Sequence, residues 1–495
     1  MKRNLLKVAA FLFAAVVSVS AMAQKVELQD SKKEAPDTYE KIDDKYQLVN
    51  QWYRSATGGN FSYTDWNKAE GANPNQMVRS LVAQDAKLYF AYRNEGNVEG
   101  HSIIEIDGVT GDFVRTVPLL GQPFTTTVNP GTDSASVKVA VDLANNDIKI
   151  DGAGNFLVCG GITSATKPFM VYKVDLETGE TTEIINDILA DNSEIAALAG
   201  VRIDAFDVWG DIDDYAIIMA ANGAGPLTAF RWIIEGGEVS DAELVTLDVQ
   251  GSNFTTGTAA QIQIIDEGLF YVDGFLSYVT LFQYDGAGKA TIMDSFYDKE
   301  TGDALPILKT FNTQNNGIRE FDVVNEDGIT EYFMCCAACN HGGAPKNSLA
   351  IVKFENEDRS FQTAQLLYQF PKEGFGSPTG TNYYRASPAF VDPNPTNEDA
   401  ADIYVYIGET GFARYTFSAD GKEIVQDQDI EQGEMVDVEN VEVVNVYTEG
   451  GLVVAEGEFQ IFTVTGQNVT AQNGNLAQGA YIVKAANATA KVIVK

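Results

Sequence analysis

The sequence predicts an all-β protein, a β-propeller of six blades followed by a small C-terminal β-sandwich. Three observations predict it. Units of four short apolar strands recur at a spacing of roughly 55–70 residues between residues 46 and 433, the mark of propeller blades with long loops. The hairpins inside those units close on one turn chemistry, Asp followed by Gly. Residues 434–495 form a separate run of shorter strands split by Gly-containing turns.

Within each unit the second strand is the most apolar. The candidates are residues 88–92, 156–159, 215–219, 269–272, 332–335 and 403–407. Third strands are expected at 102–107, 169–175, 228–234, 278–285, 348–355 and 414–420. Several end in Asp107-Gly-Val-Thr-Gly-Asp112, Asp175-Leu-Glu-Thr-Gly-Glu180, Asp285-Gly-Ala-Gly-Lys289 or Asp420-Gly-Lys422. Gly supplies the positive φ of such hairpins, and Asp or Thr satisfies the exposed amides. A single four-stranded unit cannot bury both of its faces, whereas units stacked radially cover one another. Residues 46–53 either close the ring with the last blade or belong to a seventh. An elongated array of sandwiches is the competing architecture.

The 495 residues suffice for a large repeat domain plus a small one, and 45% hydrophobic with 11% aromatic content excludes wholesale disorder. Seventy acidic against 34 basic residues give a formal charge of −36. Such a field repels nucleic acid and anionic membranes and favours cationic partners or Ca²⁺. No cofactor is predicted. The one candidate cation site is Asp207, Asp211 and Asp213, which has oxygen-rich spacing but lacks the Gly and distal Glu of an EF-hand and reads first as a solvated turn.

The two ends read as addresses. Lys2, Arg3 and Lys7 precede an apolar stretch at 8–19 and an A-x-A site at Ala21-Met22-Ala23, so residues 1–23 are expected to be a signal peptide cleaved between Ala23 and Gln24. No later run is long and apolar enough for a transmembrane helix. Residues 24–45 are charged, lack periodicity and read as a linker. In the tail, strands are expected at 441–447, 451–455, 459–464, 481–484 and 491–495. The segments Phe459-Gln-Ile-Phe-Thr-Val-Thr-Gly-Gln-Asn468, Leu476-Ala-Gln-Gly-Ala-Tyr-Ile-Val-Lys484 and Lys491-Val-Ile-Val-Lys495 closely resemble a type A sorting domain of the type IX (Por) secretion system. The resemblance implies export to the periplasm, passage across the outer membrane by the type IX machinery acting on residues 434–495, and a final place on the cell surface or outside the cell.

The region 46–433 also resembles a family of uncharacterised secreted β-propeller-like proteins with a domain-of-unknown-function label. The resemblance rests on Trp52-Tyr-Arg-Ser-Ala-Thr-Gly-Gly-Asn60, Trp66 and Arg79-Ser-Leu-Val-Ala83. It implies no activity.

Motifs for chemistry are scarce. There are two histidines, His101 and His341, and no GxSxG, P-loop, GxGxxG or sialidase-type Asp box. Three of the four cysteines lie in Cys335-Cys336-Ala-Ala-Cys339-Asn-His341, which misses the haem-attachment pattern by one residue and leaves a zinc site short of a ligand. The surrounding composition is that of a buried strand in which Cys serves as a small apolar residue.

One pattern is sharper. The first strand of a propeller blade lines the central channel, and first-strand candidates open with Arg79, Lys149, Arg202, Arg319 and Arg385, the remaining unit offering Gln261 and Gln263. Converging, they would form a cationic ring able to grip a carboxylate or phosphate. The competing reading pairs each with a neighbouring carboxylate such as Asp151, Asp204 or Asp322. The function expected is therefore an exported binding protein for a glycan or other anionic ligand. The alternatives are a polysaccharide-active hydrolase or lyase on the same ring, and a protein-interaction scaffold using rim aromatics such as Trp52, Trp66 and Trp232.

Overall fold

The computed structural model describes residues 45–55, 78–92, 101–121, 145–250, 254, 256–257, 259–274, 279–296, 305, 315–325, 327–338, 348–370, 389–393, 400–407, 411–419, 421, 424, 447–449, 452–454, 459–463, 469–476, 479–485 and 488–494. It divides into two units, Met1–Asp427 and Gln428–Lys495.

The first strand of the larger unit, β1 (Gln47–Ser55), pairs only at the far end of the chain. Between lie successive antiparallel meanders. The first is β2 (Val78–Gln84), β3 (Lys87–Tyr92), β4 (Ser102–Asp107) and β5 (Phe113–Pro118). The second is β6 (Asn145–Ile150), β7 (Phe156–Gly160), β8 (Pro168–Val174) and β9 (Thr181–Ile188). A nine-stranded sheet follows. Its one half is β10 (Asp207–Gly210), β11 (Tyr215–Ala221), β12 (Thr228–Glu235) and β14 (Glu243–Asp248), with the short β13 (Glu238–Val239) on β12. Its other half is β15 (Gln261–Ile264), β16 (Leu269–Asp273), β17 (Thr280–Tyr284) and β18 (Lys289–Ser295), joined to the first half by parallel pairing of β14 with β18. These halves are the third and fourth meanders. The fifth is β19 (Asn315–Val324), β20 (Thr330–Ala338), β21 (Ser348–Lys353) and β22 (Gln365–Phe370). The sixth is β23 (Ala389–Pro393), β24 (Ala400–Ile407) and β25 (Gly411–Ser418), whose fourth strand is β1, antiparallel to β25 from Gln47↔Ser418 to Ser55↔Gly411.

The arrangement is all-β and propeller-like. Leading strands touch one another in cyclic order, β2 against β6, β6 against β10, then β15, β19, β23 and back to β2. The reason lies in the second strands, which are apolar on both faces. In β11, Ile218 enters the core shared with the second meander, while Ile217 and Met219 enter the core shared with the fourth. In β20, Cys336 and Met334 face the fourth meander and Cys335 and Phe333 the sixth. A seam core fills each interface, including the last, where Trp52, Tyr404 and Phe412 meet Leu81 and Phe90 of the first meander.

The sequence expectations for second and third strands match β3, β7, β11, β16, β20 and β24, and β4, β8, β12, β17, β21 and β25, within a few residues. Their turns work as expected. Asp107 Oδ1 accepts from the Val109 and Thr110 amides at 2.9 and 2.8 Å, and Asp175 Oδ1 from the Glu177 amide at 2.8 Å. Gly179 stands at φ +78°, and a Cβ there would lie 2.1 Å from the Pro118 carbonyl oxygen. The cysteine run is strand, as composition suggested. Cys159, Cys335 and Cys336 are buried free thiols, and burial pushes all three thiols up; Cys339 and His341 lie outside the described residues.

Two of the three proposed rim aromatics are instead core residues. Trp52 is buried and donates from Nε1 to the Gly108 carbonyl at 3.0 Å. Trp232 is fully buried, stacks on Phe169 at 4.9 Å and donates to Asp187. Their flanking residues alternate into seam cores, so neither reaches the surface. Trp66 lies outside the described residues.

The smaller unit holds a hairpin, β26 (Tyr447–Glu449) with β27 (Leu452–Val454), and a three-stranded sheet of β28 (Phe459–Thr463), β29 (Gly479–Ala485) and β30 (Ala488–Val494). Val453, Ile461, Val469, Tyr481 and Val483 make its core. Asn473 ties the hairpin down through both its side-chain atoms to the Val453 backbone at 2.8 Å. No described helix is long and apolar enough to cross a membrane.

Replacing Trp232 removes a full seam anchor. Trp232→Ala is expected to cost about 3–5 kcal/mol of stability, read as a lowered midpoint in urea or thermal unfolding.

Candidate functional site: the hub

In an up-and-down meander the connections before the first strand and after the second emerge at one end, the other two at the opposite end. Here the ends differ. One carries tight Asp- and Asn-capped turns such as Asp151–Asn155, where Asp151 Oδ1 accepts from the Ala153 and Asn155 amides. The other receives the described connection 189–206, which leads into β10. The hub and its mouth on that second side form the candidate site.

Hub strands are stitched by side-chain acceptors taking amides of the next meander. Asp147 Oδ2 accepts from the Phe206 amide at 3.0 Å, Asp207 Oδ2 from the Ile264 amide at 2.8 Å, and Gln263 Oε1 from the Glu320 amide at 3.0 Å. The paired positions lie 59, 57 and 57 residues apart, one repeat each. Each acceptor fills a hydrogen bond that a buried, unpaired amide would otherwise lack.

The cations predicted to converge here are divided. Lys149 lies within β6, buried, 2.9 Å from Asp147 and over the Phe206 ring. Arg319, the fifth residue of β19, reaches to 3.6 Å from Asp207 of the third meander. Arg202 precedes β10 rather than opening it, and binds Asp204 through Nε at 2.5 Å and Nη2 at 2.8 Å. Arg79 is the second residue of β2; its side chain, and all of Arg385, lie outside the described residues. The expectation that these cations open their strands is therefore corrected: Lys149 and Arg319 are each the fifth residue of theirs, and Arg202 lies five residues before β10. Bulges between Asn145 and Asp147 and between Asn315 and Ile318 shift β6 and β19 against their neighbours. Gln261 and Gln263 both fall in β15, as placed.

Pairing with carboxylates is what the described cations do, though two of the partners differ from those expected. Lys149 takes Asp147 rather than Asp151, and Arg319 takes Asp207 rather than Asp322; Arg202 takes Asp204. Asp204 Oδ2 also accepts from the Ala259 amide at 3.0 Å. Burial raises the Asp207 carboxyl above its ordinary range, opposed by the Arg319 and Lys149 charges. Hydrogen bonding to Asp204 raises Arg202 further. Among the described residues, three hub carboxyl groups thus face three cations.

Asp207, Asp211 and Asp213 are not brought together as a metal site. Asp207 sits in the hub, Asp211 Oδ1 caps the Asp213 amide, and Asp213 binds Lys173 at 2.6 Å on the surface. Among the described residues no group of three His, Cys, Asp or Glu is placed to hold a metal ion.

No family model matches the chain, and no curated protein does. Among solved structures it is similar to a DUF4623 family protein from Bacteroides eggerthii, at 13% identity over 78% of each chain with a TM-score of 0.48. It is also similar to a protein of unknown function from Dyadobacter fermentans, at 9% identity over 69% of this chain and 94% of that one, TM-score 0.40. A third is the WD40 β-propeller domain of Doa1, at 14% identity over 69% and 93%, TM-score 0.30. The ring itself is established by strand pairing and seam contacts.

Asp207 gives the hub a pH signature. Its folded-state pKa lies above the unfolded value, so the native state binds that proton more tightly and gains stability as pH falls through the folded pKa. In Asp207→Asn this gain is absent. The melting temperature of the unmodified protein relative to the variant is expected to rise between pH 7 and about pH 4, measured by thermal scans across that range.

Proposed function

We propose that the chain is an exported binding protein built on a six-bladed propeller, with the nine-stranded sheet counted as two blades and β1 completing the sixth. Residues 1–23 serve as signal peptide, the smaller unit as a β-sandwich sorting tail for the type IX machinery, and the mature protein acts at the cell surface or outside it. Its contact face is the hub mouth, and its ligand is a glycan or another anionic group.

The observation that supports binding over catalysis is the state of the described hub carboxylates. Asp147, Asp204 and Asp207 are each held by a cation and by a backbone amide of the neighbouring meander. A glycoside hydrolase needs two carboxyl groups roughly 5–10 Å apart and able to exchange protons with substrate. Groups committed to holding the ring together are poorly suited to that work. Arg202, by contrast, stands at the mouth with its side chain 22% exposed, available to a ligand on one edge while Asp204 holds the other.

The protein beginning at Gln24, probed on an array of acidic and neutral glycans, is expected to retain at least one acidic glycan with a micromolar dissociation constant and to release no new reducing or unsaturated ends from it. Retention of nothing, or depolymerisation of a bound polysaccharide, would contradict this reading. Export is checked separately by sequencing the N-terminus of the cell-surface or extracellular protein, which is expected to begin at Gln24.

A further inference from the structure

We infer that β1 is a detachable clasp, the element at which the ring opens and the last to dock. This stands whether or not the binding reading above holds.

Among the described strands, β1 ties the start of the chain to its far end by main-chain pairing. Side-chain contacts of β1 and the residue before it with the last two meanders and the segment after them span 285 to 377 residues, from Tyr46 with Glu331 to Gln47 with the Ile424 amide. Closing loops of that length costs the most entropy and is repaid only when the rest of the ring is in place. β1 also has one strand neighbour, β25, and the ladder between them is interrupted at Asn50/Trp52.

Other seams have fastenings that do not depend on it. The second to fifth meanders are joined through Asp147, Asp207 and Gln263, and the third and fourth also share main-chain pairing of β14 with β18. At the closing seam β2 touches β23 and Phe90 packs edge-on against Tyr406 and Phe412, and β1 adds a side-chain hydrogen bond across it. Trp52 donates to the Gly108 carbonyl of the first meander and packs edge-on against Phe412 at 5.5 Å. At the other end Lys45 lies 2.5 Å from Glu331, which Lys353 also meets at 3.3 Å, and Lys353 contacts the Tyr46 hydroxyl. Tyr368 of the fifth meander donates its hydroxyl to the Tyr46 carbonyl at 2.6 Å. β1 and the two residues before it thus bridge three meanders. Its release would uncover Phe333 and Phe417 on one side and Tyr404 and Phe412 on the other. Topology adds a consequence: a chain delivered N-terminus first cannot close its ring until Ser418 stands on the same side of the membrane as Gln47.

Hydrogen exchange read by mass spectrometry on the chain from Gln24 tests this. Amides of β1, and those of β25 that face it, are expected to exchange together and at least tenfold faster than those of β11 and β12. Glu331→Gln and Trp52→Phe are each expected to speed exchange in β1 severalfold while leaving β11 and β12 unchanged. A synthetic peptide of residues 45–55 added to a chain starting at residue 56 is expected to restore protection of β25. Protection of β1 equal to that of β11, or exchange of β1 only together with the whole ring, would overturn the inference. Should the shortened chain not fold, the two point variants in the full protein decide the matter alone.

Discussion

Everything in the larger unit follows from strands that are apolar on both faces. A meander carrying Ile217 and Met219 on one side of β11 and Ile218 on the other has no face to give to water. Burying such side chains contributes roughly 1.5–3 kcal/mol each, and only another meander of the same kind can supply the cover. Repeating the solution around a circle leaves no outermost unit exposed, provided the first and last meet. Trp52 and its neighbours in the closing seam show that they do.

Radial stacking creates a second constraint at the centre. First strands converge there with backbone groups that cannot all be paired within their own sheets. Asp147, Asp207 and Gln263 answer it by taking amides from the next meander. Placing carboxylates in so enclosed a position raises the cost of their charge. Lys149, Arg202 and Arg319 offset that cost. The basic residues that look from sequence like a ligand grip are, in the described hub, first of all counter-ions.

Much of the fold was legible because its signals are local. Turn residues such as Asp107, Asp175 and Gly179 mark hairpin ends whatever lies around them, and apolar runs such as 215–219 and 269–272 can be nothing but buried strand when turns flank them so closely. The hub was less legible because register is not local. A bulge of one residue, as between Asn145 and Asp147, moves every following side chain to the other face. Arg202 looked like the start of a strand that begins five residues later at Asp207. The stitching role of Asp147, Asp207 and Gln263 was not legible, although they recur at the repeat spacing. Asp207 reads from sequence as a cation ligand and Gln263 as an uncharged counterpart of the basic positions, because the partner amide lies one repeat away. Trp52 and Trp232 were misplaced for a related reason, since a large aromatic with a polar nitrogen suits a rim or a core equally until its hydrogen-bond acceptor is known.

Distant meanders meet at one centre, and Arg319 with Asp207 is the most direct probe of that meeting, because the two come from the fifth and third meanders. A double-mutant cycle with Arg319→Met and Asp207→Asn, followed by urea unfolding, measures their coupling. A closed hub predicts an interaction of about 0.5–3 kcal/mol, and additivity of the two substitutions would contradict it.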